Sequence, residues 1–307
     1  MKNLRQFETE SQYETVKEGF EYPTVSYVTN TDTVHYMEKP PHDYSKDYLT
    51  FEALEDATIS IYTFSESIGK MTFYYKVDNE NNWQSKDAWY GVGETTDLCS
   101  LLTGQKLQIY CTRNHYYDYY DKIKFNINNR VNISGNILSI FYGDQFTNYN
   151  SFPTPDGTQV ASAKDLFNSC KIVDASNLIL PDTAPEQCYS TMFYRCTSLI
   201  TAPELPATTL NSGCYDSMFQ GCTSLITAPT LPATTLETGC YKNMFNGCSS
   251  LNYIKAMFRT TPSTKYTNNW VKGVASTGTF VKNSAATWNV SGVNGIPKGW
   301  TVETASA

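Results

Sequence analysis

The sequence has few of the features that mark enzymes, membrane proteins and nucleic-acid-binding proteins. It contains only three histidines, and it has no nucleophile elbow, phosphate loop, dinucleotide-binding turn or calcium loop. No apolar run approaches the roughly 18 residues that indicate a membrane span. The start of the chain lacks the apolar stretch of a secretory signal peptide, and no basic patch indicates nucleic acid. We therefore expect a chain that is made in a cytoplasm, inserts into no membrane and binds no nucleic acid.

Cysteine spacing of the zinc-binding type is also missing. The nine cysteines include no Cys-x₂-Cys pair, which is a spacing that structural zinc sites commonly use. Cys214 and Cys222 would lie too far apart on one helix to bond to each other, and equivalent cysteines of neighbouring repeats would meet in poor disulfide geometry. We expect reduced thiols packed as small apolar groups and no metal, with disulfides or a metal site as the alternative.

The residues of common catalytic sites are not grouped in the sequence. His35, His42 and His115 lie outside the repeats described below, so no Ser/His/Asp or Cys/His site is indicated. A site with paired carboxylates for glycoside cleavage stays an open alternative, because only the fold could bring such carboxylates together. The acids of the repeats do not recur, however, since Glu204 corresponds to Thr230. We expect a protein that is not an enzyme and has no cofactor; a polysaccharide-degrading enzyme is the less favoured alternative.

The residues that are abundant favour β structure. The 23 tyrosines are accompanied by many Thr, Ser, Asn and Val residues, which prefer strands and turns. Four short alternating runs begin at residues 49, 58, 71 and 106, with clusters of turn residues between them. They predict an antiparallel, immunoglobulin-like β-sandwich over residues 46–127. Residues 1–60 hold 12 acidic and 5 basic residues, which indicates a solvated N-terminus or one that meets a basic partner.

A repeat with a 26-residue period dominates the C-terminal half. Cys188, Cys214 and Cys240 follow one another at this interval, and the run at 205–210 recurs at 231–236. A unit of this size cannot bury its own apolar face, so stacked units must share one core. The predicted repeat core consists of Phe193, Phe219, Phe245, Met192, Met218, Met244, Cys188, Cys214, Cys240, Cys196, Cys222 and Cys248.

The spacing within each unit predicts its local structure. Apolar residues at positions i, i+1, i+4, i+5 and i+8 over 214–222 predict a short helix or 3₁₀ segment, and 225–229 predicts a short strand. Residues 128–307 are then a short right-handed leucine-rich-repeat solenoid with repeats at about 166–258 and a cap at each end. We expect Trp270, Trp288 and Trp300 to cover the last coil. The whole chain is predicted to be mainly β with short helices.

A tyrosine-rich run is the candidate contact surface. Tyr116, Tyr117, Tyr119 and Tyr120 are flanked by aspartates and could stack on a glycan or contact a protein. The alternative is an ordinary hairpin with one buried tyrosine face. The sequence leaves both interpretations open.

The repeat unit at 214–236 resembles the BspA-type leucine-rich repeats of gut Bacteroidetes and their phages, and this resemblance covers residues 131–302. The runs at 5–10, 23–28, 34–36 and 47–55 resemble the openings of virion proteins of crAss-like phages that infect Bacteroides. The resemblance implies a structural protein on the surface of a bacteriophage virion, as a head fibre or capsid decoration. Such a protein is made in the host bacterial cytoplasm.

The same resemblance implies adhesion through weak binding by many copies. Residues 1–45 would anchor or oligomerise the chain and bind the phage capsid or another virion protein. Further partners would be a host surface glycan or protein, and a homo-oligomer, either a dimer or a trimer, follows from this role. A tail receptor-binding fibre and a bacterial BspA-like surface adhesin are the alternatives.

Overall fold

The computed structural model describes residues 24–28, 34–37, 43–64, 69–78, 80–90, 95–113, 122–153 and 162–305. The chain divides into two compact units, Met1–Asp43 and Tyr44–Ala307. In the first unit, strands β1 (Thr24–Val28) and β2 (Val34–Met37) pair antiparallel. The anchoring role of residues 1–45 stays a prediction.

The second unit is mainly β, as predicted. Its helical elements are α1 (Ser139–Tyr142) and the 3₁₀ segments Tyr44–Lys46 and Gly143–Asn148. Its strands are β3 (Leu49–Ala53), β4 (Ala57–Phe64), β5 (Gly69–Val77), β6 (Gln84–Tyr90), β7 (Thr95–Leu101), β8 (Lys106–Arg113), β9 (Lys122–Ile127), β10 (Val131–Asn136), β11 (Ile172–Ile179), β12 (Tyr253–Ala256), β13 (Thr279–Lys282) and β14 (Thr301–Thr304).

Two sheets share the core of the N-terminal part of this unit. One has the order β7-β4-β9 and the other the order β11-β10-β3-β8-β5-β6. The four alternating runs form β3, β4, β5 and β8, and β5 pairs antiparallel with β6 across the turn that follows it. Phe51 and Phe125, one from each sheet, are fully buried with ring centroids 5.0 Å apart. The antiparallel sheets are therefore confirmed, while the immunoglobulin-like topology stays a prediction.

The six-stranded sheet continues into the repeats. Strand β10 pairs antiparallel with β3 and parallel with β11, so the sheet contains strands from both sides of the predicted boundary at 127–128. Beyond β11, parallel bridges join Asp174 to Thr201, Thr201 to Thr227 and Thr227 to Tyr253. Strands β12, β13 and β14 extend this ladder in parallel. One ladder of backbone pairing thus runs from β6 to β14.

The turn segments of the repeats make two kinds of hydrogen bond in alternation. Met218 donates its N–H group to the carbonyl of Tyr215, within the same turn segment. Tyr215 and Phe219 instead donate theirs to the carbonyls of Cys240 and Met244, on the next coil. Left-handed backbone also recurs at regular intervals, with φ of 60°, 57° and 78° at Gly213, Ser217 and Gly221.

The prediction of a short helix or 3₁₀ segment over 214–222 is therefore wrong. A helix keeps each N–H group within its own segment, but here every second N–H group bonds to the neighbouring coil. The segment is a series of turns whose hydrogen bonds join one coil to the next. The strand predicted over 225–229 is likewise reduced to one residue, Thr227, which forms a parallel bridge to Thr201 on one side and to Tyr253 on the other.

Each 26-residue repeat forms one coil, and two aromatic columns run through the stack of coils. The phenylalanine column, Phe167, Phe193, Phe219 and Phe245, has centroid spacings of 5.5, 5.6 and 5.8 Å. The tyrosine column, Tyr189, Tyr215 and Tyr241, has spacings of 5.3 and 6.0 Å. Each buried phenylalanine contributes roughly 1.5–3 kcal/mol of transfer free energy. The columns hold the coils in register.

Both ends of the phenylalanine column are covered. At the first coil, Phe125 of β9 stacks on Phe167 at 5.6 Å. At the last coil, Trp270 lies 6.2 Å from Phe245 and donates its indole N–H to the carbonyl of Gly295 at 2.9 Å. Trp288 and Trp300 are buried at the same end. Sheets and coils therefore share one continuous core.

Candidate functional site

The four candidate contact tyrosines, Tyr116, Tyr117, Tyr119 and Tyr120, lie outside the described residues, in the connection between β8 and β9. Their contact role stays a prediction. The two flanking strands belong to different sheets, since β8 pairs with β3 and β5 whereas β9 pairs with β4. In the sequence, the four tyrosines therefore stand between strands of two different sheets.

The predicted repeat-core residues all lie inside the stack. Their side chains form the interior of the stack, so packing accounts for their recurrence. The following are completely buried: Phe193, Phe219, Phe245, Met192, Met218, Met244, Cys188, Cys214, Cys240, Cys196, Cys222 and Cys248.

One set of core thiols donates hydrogen bonds to backbone carbonyl oxygens. All nine cysteines are free, and the Cys222 thiol donates to the carbonyl oxygen of Phe193 at 3.0 Å, a contact that Cys196 and Cys248 repeat on their own coils. Burial raises the pKa of four thiols from the ordinary value of 9.0 to about 12, so they stay protonated at neutral pH. These four belong to Cys170, Cys214, Cys240 and Cys248.

Within the described ranges, no group of three or more His, Cys, Asp or Glu side chains is placed to hold a metal ion. In that part of the chain, no helix is long and apolar enough to cross a membrane.

A half-buried cluster of aromatic rings lies on the outer face of the six-stranded sheet, over β5 and β8. This aromatic surface consists of Tyr48, Tyr74, Trp83 and Tyr110. Tyr74 and Tyr110 are cross-strand partners on β5 and β8, and their rings stack at 4.8 Å with an interplanar angle of 10°. Trp83 meets Tyr48 and Tyr110 edge-on, at 4.9 and 4.7 Å. The cluster presents aromatic rings and phenolic hydroxyls on one side of the sheet.

Charged groups border the aromatic surface. The Lys76 ammonium lies 5.1 Å from the centre of the Trp83 ring, a favourable cation–π distance. Burial, and then the nearby Asp144 carboxylate, raise the pKa of Tyr48 and Tyr110 above the ordinary value of 10.0. Both hydroxyls are therefore neutral at physiological pH and can donate hydrogen bonds. Rings of this kind, flanked by polar groups, are typical of contact surfaces.

The sequence interpretation did not single out this aromatic surface. The signal was the alternation of β5, in which Met71, Phe73 and Tyr75 point into the core while Tyr74 and Lys76 point outward. An aromatic residue on the outward face of an amphipathic strand is the feature to seek.

Exposed apolar residues also recur on the stack of coils. Ile200 and Ile226, one repeat apart, are 43% and 47% exposed. Each precedes a ladder threonine, Thr201 or Thr227, that is also exposed. The stack therefore repeats a small apolar and hydroxyl pattern along its length.

The comparisons with known proteins found no relatives. No family model matches the chain, and neither a curated protein nor a solved structure matches it significantly.

Proposed function

We propose that the chain is a non-enzymatic structural protein of a bacteriophage virion surface, a head fibre or capsid decoration that attaches through weak contacts made by many copies. The observation that carries this proposal is the unbroken ladder from β6 to β14, together with the phenylalanine column that lies inside the coils. A stack of coils with one shared core transmits load and projects a surface at a fixed distance, which is what a fibre or decoration protein requires.

We also propose that the stacked coils are a leucine-rich-repeat solenoid of the BspA type. The regular register of the repeats supports this assignment, because side chains one repeat apart stack directly on each other. The sheets of residues 46–127 would then serve as a spacer or docking module, and residues 1–45 as the anchor to the capsid or as the oligomerisation segment of a dimer or trimer.

Adhesion would use surfaces that are already formed. The aromatic surface of Tyr48, Tyr74, Trp83 and Tyr110 offers rings and neutral hydroxyls, a combination suited to a glycan or to a protein loop. Single contacts of this size are weak, and many copies on one particle would gain avidity. The proposed mechanism therefore requires many copies of the chain on each particle.

Quantitative mass spectrometry of purified particles of the phage that encodes the chain tests the proposal. A copy number in proportion to the major capsid protein supports decoration or a head fibre. A small multiple of the tail symmetry would move the chain to the tail as a receptor-binding fibre. Absence from the particle would overturn the virion assignment and favour the bacterial adhesin.

A further inference from the structure

A polar concavity lies on the outer face of the three-stranded sheet, where this face meets the first coil. Its volume is about 390 Å³, which is within the range of small-molecule sites, roughly 300–1,000 Å³. Strands β4, β7 and β9 supply its floor, and Asn168 and Ser169 of the first coil supply one wall. Neither the repeat core nor the aromatic surface includes these residues.

The floor is an ordered row of polar side chains. Ser60 lies opposite Asp97 on one side and opposite Asn126 on the other. The Ser60 hydroxyl donates to Oδ1 of Asp97 at 2.7 Å, which fixes the carboxylate. Lys124 lies on the same face of β9 as Asn126, because alternate residues of a strand point to the same side.

Two of these groups have unused hydrogen-bonding capacity. Among the residues that the structure describes, neither the Lys124 ammonium nor the side-chain amide of Asn126 has a hydrogen-bond or ion-pair partner. The wall is held in place, because Asn168 donates to Asp165 at 2.9 Å and Ser169 donates to Asn168 at 2.8 Å. A fixed acceptor, a free amide and a free cation therefore converge on one concavity.

We propose that this polar concavity binds a carboxylated saccharide, namely one or two sugar units that include a uronic acid. Ring hydroxyls both donate and accept hydrogen bonds, so they match an amide that does the same and a carboxylate that accepts. A sugar carboxylate pairs with the Lys124 ammonium in a charge-assisted hydrogen bond. The lining is otherwise uncharged except for Asp97, so Lys124 sets the preference for the acid.

This inference rests on the proposed attachment function and names the class of host glycan that it would recognise. The test compares cellobiuronic acid with cellobiose by NMR titration of the full chain. The two disaccharides differ only in that the acid has a carboxylate where cellobiose has one hydroxymethyl group. We expect the acid to bind more tightly by about fivefold, as for a partly exposed ion pair.

Three variants locate the site. Lys124→Gln should abolish the preference for the acid and leave cellobiose binding unchanged, whereas Asn126→Ala should weaken both sugars. Lys272→Gln removes the same charge from an exposed lysine of a distant coil and should change neither. The thermal midpoint of each variant confirms that it is folded.

Two results would overturn the proposal: no binding of either sugar to the wild-type chain, or binding that Lys124→Gln and Asn126→Ala both leave unchanged. Failure here is distinct from failure of the proposed function. A chain present in virions that binds neither sugar retains the function and loses this site. A chain absent from virions that shows the predicted acid preference retains the site and loses the virion role.

Discussion

Replacing Tyr215 by phenylalanine should stabilise the protein. Tyr215 is the middle member of the tyrosine column and only 1% exposed. Its hydroxyl is buried without a hydrogen-bond partner in the described part of the chain, and burial raises its pKa well above the ordinary value of 10.0. Leaving a buried hydroxyl unpaired costs about 1–3 kcal/mol. Phenylalanine removes that cost and keeps the ring stacked between its two neighbours.

The expected gain is about 1 kcal/mol, because the missing oxygen leaves a void that costs roughly 0.2 kcal/mol and part of the penalty persists in any relaxed structure. Tyr189 provides the matched control. Its hydroxyl lies 3.4 Å from the carbonyl oxygens of both Pro181 and Thr183, so Tyr189→Phe should lower stability by about 0.5–1 kcal/mol. The two substitutions remove the same atom and should act in opposite directions.

Urea unfolding followed by far-ultraviolet circular dichroism and by tryptophan fluorescence measures both effects. Coincident transitions from the two probes establish that a single free energy of unfolding applies. If Tyr215→Phe lowers that free energy as much as Tyr189→Phe, the hydroxyl has a partner such as an ordered water, and the reasoning is refuted.

Three further predictions concern the thiols and the backbone. Burial raises the pKa of four thiols from 9.0 to about 12. Their contribution to the free energy of unfolding is therefore complete below pH 9 and is lost as the pH rises towards 12, by up to about 1.4 kcal/mol per thiol and pH unit. An equal urea midpoint at pH 8 and pH 10 would contradict this. A thiol reagent should modify Cys99 first, since the other eight cysteines are buried, and all nine in urea without prior reduction; fewer would indicate disulfides. Thr191 has a left-handed φ of 56°, so Thr191→Gly should raise the free energy of unfolding by about 0.5–1 kcal/mol. Gly221 has a φ of 78°, so Gly221→Ala should lower the free energy of unfolding by about 1–2 kcal/mol. Calorimetry that shows the reverse order would disprove the strain argument.

The period of the repeat was enough to predict which side chains lie inside the coils, because residues one repeat apart must occupy equivalent places. It was not enough to predict the backbone. The spacing of Cys214, Met218 and Cys222 suits a helix, yet it equally suits a series of turns with the same interval. The choice depends on N–H groups that bond to carbonyls of the next coil. Gly213 and Gly221, which recur one repeat later as Gly239 and Gly247, were the available signal for left-handed turns.

Strands with regular alternation were predicted well. Strands β3, β4, β5 and β8 alternate apolar and polar residues. The described side chains of β6 are mostly exposed, and β7 mixes exposed, half-buried and buried positions without a regular alternation. The polar concavity could not be predicted, because Asp97, Lys124 and Asn168 come together only when three strands and the first coil pack. The aromatic surface likewise depends on the pairing of β5 with β8, which brings Tyr74 opposite Tyr110.

Labelling of intact phage particles tests the central claim most directly. Antibodies raised against residues 166–258 would be added to purified, unopened particles and located by immunogold electron microscopy. A virion surface protein that projects its stack of coils outward predicts dense labelling on the outside of the capsid. Particles that bind no antibody, although the same antibody recognises the isolated folded chain, would contradict the claim.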